Sequence, residues 1–337
     1  MDLWVTFLGT AASVPTTSRG TSATLVVRGG SRVLIDCGEG TQRQFLRSGL
    51  GLLDLDAILL THLHGDHYLG LPGLLKTYAL RGRTEPLPLI GPPGLTALLM
   101  ALQSVIGRLP FRLDVNEAEP GPVLILEGGR WEAYPTRHSV RSFGYALIED
   151  TRPGMFDVAA ARALGVPAGP LFGTLQRGES IRIGDVEVLP DHVLGAPRPG
   201  RRVVITGDTE PCDTTAEIAS GADLLVHEAT FLDNDRGRAR ETRHSTAREA
   251  AEIARQAGVQ LLALTHLSSR FIPREVRKEA AALFPETLVP RDFDQIEIPF
   301  AERGAPMFHP GGATRRPADD APPAAAGPGT VTAEPDL

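Results

Sequence analysis

The stretch Thr61-His62-Leu63-His64-Gly65-Asp66-His67 gathers three imidazoles and a carboxylate in an H-x-H-x-D-H pattern. Imidazole nitrogen and carboxylate oxygen are donors that Zn²⁺ and its neighbours accept. The cluster follows Ala57-Ile58-Leu59-Leu60, a short apolar run that reads as a buried strand. His62 and His64 are two positions apart, so on an extended segment they point the same way. Gly65 lets the chain turn and aim Asp66 and His67 elsewhere, so one loop can feed two adjacent metals. A polar loop of solvated histidines is the plainer alternative, and the density of ligand types argues against it.

The same arrangement, a ligand type directly after an apolar segment, recurs three times. His138 follows Tyr134-Pro135-Thr136-Arg137, Asp208 follows Val203-Val204-Ile205-Thr206-Gly207, and His266 follows Leu261-Leu262-Ala263-Leu264-Thr265. Taken singly, each is weak: a histidine after a strand is more often a hydrogen-bonded loop residue, and the aspartate equally suits a turn or a helix N-cap. Together with the first cluster they supply enough donors for two metals, with Asp208 shared. Functional residues of α/β sheets gather beyond the carboxyl ends of strands, where loops converge.

The elements that must position these residues read as two similar halves. The apolar runs predict strands over Leu3–Leu8, Ala23–Arg28, Arg32–Ile35 and Ala57–Leu60, then over Arg202–Thr206, Leu224–His227 and Leu261–Thr265. Helical periodicity covers Asp66–Leu80, Gly94–Ile106 and Ser245–Ala257. Sheets that must cover both faces predict a layered α/β build.

The order H-x-H-x-D-H, His, Asp, His resembles that of the metallo-β-lactamase superfamily, and in particular its ribonuclease Z branch, the short-form tRNA 3′-processing endonucleases. The likeness runs from about Leu3 to Phe300. It includes Phe7-Leu8-Gly9-Thr10 through Pro15-Thr16, Ile35-Asp36-Cys37-Gly38-Glu39-Gly40-Thr41-Gln42, Leu69-Gly70-Leu71-Pro72-Gly73, His227-Glu228-Ala229-Thr230-Phe231, His244-Ser245-Thr246-Ala247 and Thr265-His266-Leu267-Ser268-Ser269-Arg270-Phe271. Departures are small: Leu267 and Phe271 stand where the branch often has Phe and Tyr. Its Pro-x-Lys-x-Arg type loop appears as Pro197-Arg198-Pro199-Gly200-Arg201-Arg202, with the positive charge kept.

The resemblance implies a four-layer αββα sandwich and a zinc-dependent endoribonuclease that removes 3′ trailers from precursor tRNA, leaving a 3′-hydroxyl. Two metals can clamp a phosphodiester and acidify a water between them. His62, His64 and His138 are assigned to one metal and Asp66, His67 and His266 to the other, with Asp208 common to both. Zn²⁺ suits these donors, and Mn²⁺ or Co²⁺ are alternatives. Asp66 is the expected general base. His244, oriented by Glu228, is the expected acid for the leaving oxygen, at the start of a helix whose N-terminus favours an anion. Capping alone is the structural alternative for His244. His227 is read as a partner of a ligand or as packing, and His192 and His309 as ordinary surface or loop residues. Competing readings are a 3′ exoribonuclease or general phosphodiesterase with the same site, a thioester or lactam hydrolase, and an RNA- or metal-binding protein without catalysis. All seven ligands are present, which argues against the last.

The 337 residues, 42% of them apolar, suit one large catalytic domain over 1–302. A Gly/Pro-dense insertion from Thr151 to about Ser180 breaks the α/β pattern and reads as a protruding arm, which the resemblance makes a grip for the tRNA elbow. Arg152, Arg177, Arg198, Arg201 and Arg202 are the expected RNA contacts; a net charge of −7 argues mildly against a generic nucleic-acid binder but leaves room for local basic patches. The Ala/Pro-rich stretch 303–337 reads as disordered. No apolar run spans a bilayer and the first residues lack a signal core. Cys37 and Cys212 allow no disulfide framework, so a reducing, cytoplasmic setting is expected. Homodimerisation is implied by the resemblance alone.

Overall fold

Alternation along the strands separates three apolar cores. In a computed structural model, which describes residues 1–52 and 54–311, Leu3, Val5 and Phe7 of β1 (Leu3–Gly9) pack into a core between two sheets, and Leu8 turns to a helical layer. The same parity divides β2 (Ala23–Arg28), β3 (Ser31–Ile35) and β4 (Ala57–Leu59), where Val26, Val33, Ile35, Ala57 and Leu59 face the other sheet and Leu25, Leu34 and Ile58 face helices. Strands covered on both faces must be apolar at nearly every position, which explains why these runs do not alternate with polar residues.

The first sheet continues through β5 (Leu87–Gly91) and β6 (Leu113–Glu117). Its helical layer contains α1 (Thr41–Arg47), α2 (Gly65–Tyr68), α3 (Leu71–Leu80) and α4 (Leu95–Ile106). The single helix expected over Asp66–Leu80 is broken into α2 and α3. Gly70 passes so close to the Gly38 carbonyl that a Cβ would lie 2.1 Å from its oxygen, and Pro72 opens the second helix.

The second sheet contains β7 (Gly121–Leu126), β8 (Gly129–Pro135) and β9 (Phe143–Glu149). The chain then leaves it for α5 (Val158–Ala163), α6 (Pro170–Gln176), β10 (Ile181–Ile183) and β11 (Val186–Val188). It returns through β12 (Arg202–Ile205), α7 (Asp213–Ile218), β13 (Leu224–Glu228), α8 (Arg236–Thr242), α9 (Ala247–Ala257), β14 (Leu261–Thr265), α10 (Pro273–Ala281) and β15 (Thr287–Leu288). Finally β16 (Gln295–Glu297) and β17 (Met307–His309) rejoin the first sheet beside β1. The orders are β17-β16-β1-β2-β3-β4-β5-β6 and β15-β14-β13-β12-β9-β8-β7. Val204, Leu225, Leu262 and Leu264 carry the second sheet onto α9 and its neighbours, completing the αββα layers expected of the chain. A Thr246/Glu249 capping box starts α9, and Gly258 at φ 63° ends it.

Two expected boundaries are corrected. The insertion runs past Ser180 to about Pro199, because Val188 and Val193 share a small core with Ala161, Val166, Leu175 and Ile181, and paired backbone bonds between Arg152 and Arg198 close its base. The tail does not begin at Arg303: Met307–His309 forms a strand paired with Gln295–Glu297. The rest of that stretch, 312–337, lies outside the described residues.

Glu149 ties the two sheets to the insertion. Its carboxylate accepts from Arg28 Nε at 2.7 Å and from Arg201 Nε and Nη2 at 2.8 and 2.7 Å. Burial would raise its acid, but the two guanidiniums win and hold it at about 2. Depression below the ordinary value of 4.5 makes this contribution to stability full above about pH 4.5 and lost as pH falls through about 2. Glu149→Gln should therefore cost about 3–5 kcal/mol near neutrality by stranding buried arginines. Thermal melts from pH 7 to 2 should show the wild-type advantage shrinking on acidification; an advantage independent of pH would refute the ion-pair account.

Candidate metal centre

Asp36, directly after β3, organises the loop that follows β4. Its Oδ1 accepts from the Thr61 backbone N–H at 2.8 Å, the Thr61 hydroxyl reaches both carboxylate oxygens at 3.0 Å, and Oδ2 lies 2.7 Å from His67 Nδ1. The Cys37 amide donates to the His67 carbonyl and the Gly70 amide to the Cys37 carbonyl, so residues 61–70 are stitched to 36–38. Asp36 sits at φ 59°, a left-handed conformation that Asp tolerates better than most residues.

This loop presents His62 and His64 side by side, Nε2 to Nδ1 at 3.0 Å. His138, from the β8–β9 turn, brings Nε2 to 3.2 Å from His64 Nδ1, while its Nδ1 lies 2.9 Å from the Arg243 carbonyl. Asp208 follows β12 after Gly207, whose φ of 62° and contact with Thr61 leave no room for a Cβ. Asp208 Oδ2 stands 3.6, 3.4 and 3.3 Å from Nε2 of His62, His67 and His266. His266, after β14, also reaches Asp66 Oδ2 at 3.3 Å. Asp66 Oδ2 further accepts the Ser13 amide at 2.9 Å.

All seven donors singled out in the sequence thus meet at one edge. Two sets, His62/His64/His138/Asp208 and Asp66/His67/His266, each have donor atoms within 4.8 Å of one another, and a third, Asp208/His244/His266, overlaps them. Their charge states suit a cation. Burial lowers the imidazoles of His62, His64 and His138, which favours the neutral ligand form. Burial would raise the Asp66 and Asp208 acids, but neighbouring histidines, His266 first, hold both carboxylates ionised. Burial opposes protonation of His67 as well, yet Asp208 and Asp36 raise it well above its ordinary value. Its Nε2 is buried without a hydrogen-bond partner among the described residues, as is Asp208 Oδ1. A divalent cation would take the Nε2 lone pair in place of the proton, so the residues fit a metal.

Beside these donors stands a second pair. His244 Nδ1 lies 2.7 Å from Glu228 Oε1. Burial disfavours the imidazolium, and the Glu228 carboxylate overrides it, raising His244 to about 9. Glu228 is itself held by the Thr209 amide at 2.8 Å and the Thr230 hydroxyl at 2.6 Å. Thr230 also meets His266 Nδ1 at 2.9 Å. Strand parity explains the neighbouring His227: it falls with Leu225 on the helix side of β13, and its Nδ1 contacts the Glu228 carbonyl.

The five arginines expected to meet RNA differ in exposure and in partners. Arg201 is 3% exposed and committed to Glu149 and the Ile298 carbonyl, so burial removes it from any RNA surface. Arg202 donates to the Ser220 carbonyl. Arg152 and Arg198 both bind Glu302, and Arg152 lies over the Phe300 ring, fastening the base of the insertion. Arg177, on the insertion, is exposed and paired with Glu179. Asp36 and Thr230, which orient His67 and His266, were missed as site residues. Asp36 carried a readable signal: it ends a strand next to the one that feeds the histidine loop.

A profile of the metallo-β-lactamase superfamily matches residues 16–152, and one of the beta-lactamase superfamily domain matches 183–267. A ribonuclease Z of Haloferax volcanii is 47% identical over 308 residues, covering 90% of this chain and 97% of that protein. A ribonuclease Z of Myxococcus xanthus is 50% identical over 270 residues, covering 80% and 88%. The crystal structure of human tRNase Z, short form, superposes with a TM-score of 0.65 at 29% identity, covering 88% of this chain and all of that one.

Asp36→Asn tests the organising role, since Asn keeps the shape and tolerates φ 59° while the charge is lost. Metal affinity, read by competition with a chromophoric chelator, should fall about 10–100-fold with the fold intact. An unchanged affinity would remove Asp36 from the account.

Proposed function

The chain belongs to the ribonuclease Z family of the metallo-β-lactamase superfamily, and from that membership we propose that it is a zinc-dependent endoribonuclease that removes 3′ trailers from precursor tRNA. The observation that carries the reading is the His244–Glu228 pair set against a seven-donor edge, an acid beside a site for cations.

His62, His64 and His138 would hold one cation and Asp66, His67 and His266 the other, with Asp208 between them. Zn²⁺ fits this nitrogen–oxygen set, and Mn²⁺ or Co²⁺ are also accepted by it. When bound, the two cations supply Lewis acidity to the phosphodiester and acidify the attacking water. Asp66, steadied by the Ser13 amide, accepts a proton from that water. Water adds to phosphorus as the bond to the 3′-oxygen breaks, and the trailer keeps the phosphate. Glu228 engages His244 Nδ1, which leaves Nε2 to protonate the 3′-oxygen and yield the tRNA 3′-hydroxyl.

The insertion supports tRNA as substrate over a small diester, because it is a separately packed unit with its own core, fastened at its base by Glu302. Two buried free cysteines support a reducing, cytoplasmic setting. Among the described residues no helix is long and apolar enough to cross a membrane.

Cleavage of an end-labelled precursor tRNA, with metal and with chelator, tests the reading. One intact trailer should be released, and Asp66→Ala should abolish release; stepwise shortening would indicate an exonuclease instead. His244→Ala should keep its metal content and lose about 10²-fold or more in turnover. Replacing Pro153–Pro197 by a short glycine linker should abolish precursor cleavage and spare hydrolysis of bis(p-nitrophenyl) phosphate. Equal loss of both activities in a folded variant would sink the role of the insertion.

A further inference from the structure

Helix α8 ends on a residue that is unusual for its place. Arg243 caps the helix at φ 56°, ψ 52°, and the His244 amide donates back to the Ala239 carbonyl at 2.8 Å. This left-handed C-terminal turn is usually given to glycine, because a Cβ is disfavoured there. A glycine would make the turn equally well, so the turn does not account for an arginine.

The side chain does. The Arg243 carbonyl lies 2.9 Å from His138 Nδ1, and the guanidinium Nη1 donates to the His138 backbone carbonyl at 3.1 Å. The two residues grip each other from both directions, across 105 positions of chain. With Nδ1–H donated to a carbonyl, the lone pair of His138 lies on Nε2, which faces His64 Nδ1 at 3.2 Å. Arg243 also immediately precedes His244, whose ring lies 4.9 Å from that of His138. The grip therefore sets the spacing of two site residues carried on different loops.

We propose that Arg243 is a positioning residue for His138, fixing its tautomer through the carbonyl and its backbone through the guanidinium, so that one cation site is formed before the cation arrives. This rests on the reading of the cluster as a metal centre. The left-handed strain is retained because glycine would keep the first bond and lose the second.

Metal-free wild type, Arg243→Gly, Arg243→Ala and Arg243→Lys should be titrated with Zn²⁺ against a chromophoric chelator. Visible absorption of the Co²⁺ forms and melting of the metal-free proteins complete the set. Arg243→Gly should keep the stoichiometry of two, weaken one of the two affinities about 10-fold, alter the Co²⁺ bands, and melt no lower than wild type because its turn is unstrained. Arg243→Lys, which still donates to the carbonyl, should recover part of the affinity. A merely structural residue would instead lower the melting temperature and leave affinity and spectrum alone. Wild-type affinities and spectra in Arg243→Gly would overturn the proposal, even if precursor tRNA then bound more weakly, an outcome that would make the guanidinium a phosphate contact. Failure of wild type to take up any metal would overturn the metal-centre reading and this proposal with it.

Discussion

Buried carboxylates that each hold an imidazole in place are the constraint on which the rest of the site depends. Asp36 holds His67, Glu228 holds His244, and Asp208 faces His62, His67 and His266 at once. A carboxylate taken out of water is costly unless it is paired. Here the pairing partners are the groups whose orientation the chemistry needs. The cost of burial therefore enforces geometry: a rotation of His67 away from the centre would leave Asp36 facing the neutral donors of Thr61 and Ser22 without its imidazole.

The sandwich makes such burial possible. Its two sheets bring β4, β12, β13 and β14 to the same end, so that short loops after unrelated strands converge. Each strand contributes one face to the inter-sheet core and one to a helix layer, and side chains beyond the last apolar pair inherit that parity. This is why Glu228 joins the centre while His227, one residue earlier, turns to the helices. The Arg28–Glu149–Arg201 cluster works far from this end, joining β2, β9 and the base of the insertion.

The insertion and the C-terminal segment are coupled through Glu302, which takes up two of the arginines that a basic-patch reading assigns to RNA. Charge alone does not reveal whether an arginine faces solvent or an internal carboxylate. Arg201 is the clearest case, since nearly all its surface is covered.

Much of this molecule was legible in the chain. The strand over Ala23–Arg28 has its expected bounds, and β1, β3, β4 and β12–β14 lie within a residue or two of theirs, because strands covered on both sides announce themselves as apolar runs. The helix expected over Asp66–Leu80 was not legible as two, since the break depends on how closely Gly70 passes Gly38. The end of the insertion was hidden for a similar reason: Val188 and Val193 belong to it only through contacts with Ala161 and Leu175.

The sequence by itself determined the donor types, their placement after apolar strands and the family they resemble, because these are local properties of residue chemistry and period. Tertiary structure alone decided that Asp36 holds His67 and Thr230 meets His266, that Arg201 is interior, and that Arg243 reaches back to His138. Those facts join positions tens to hundreds of residues apart, and only the packing of sheet on sheet and loop on loop brings them within hydrogen-bond distance.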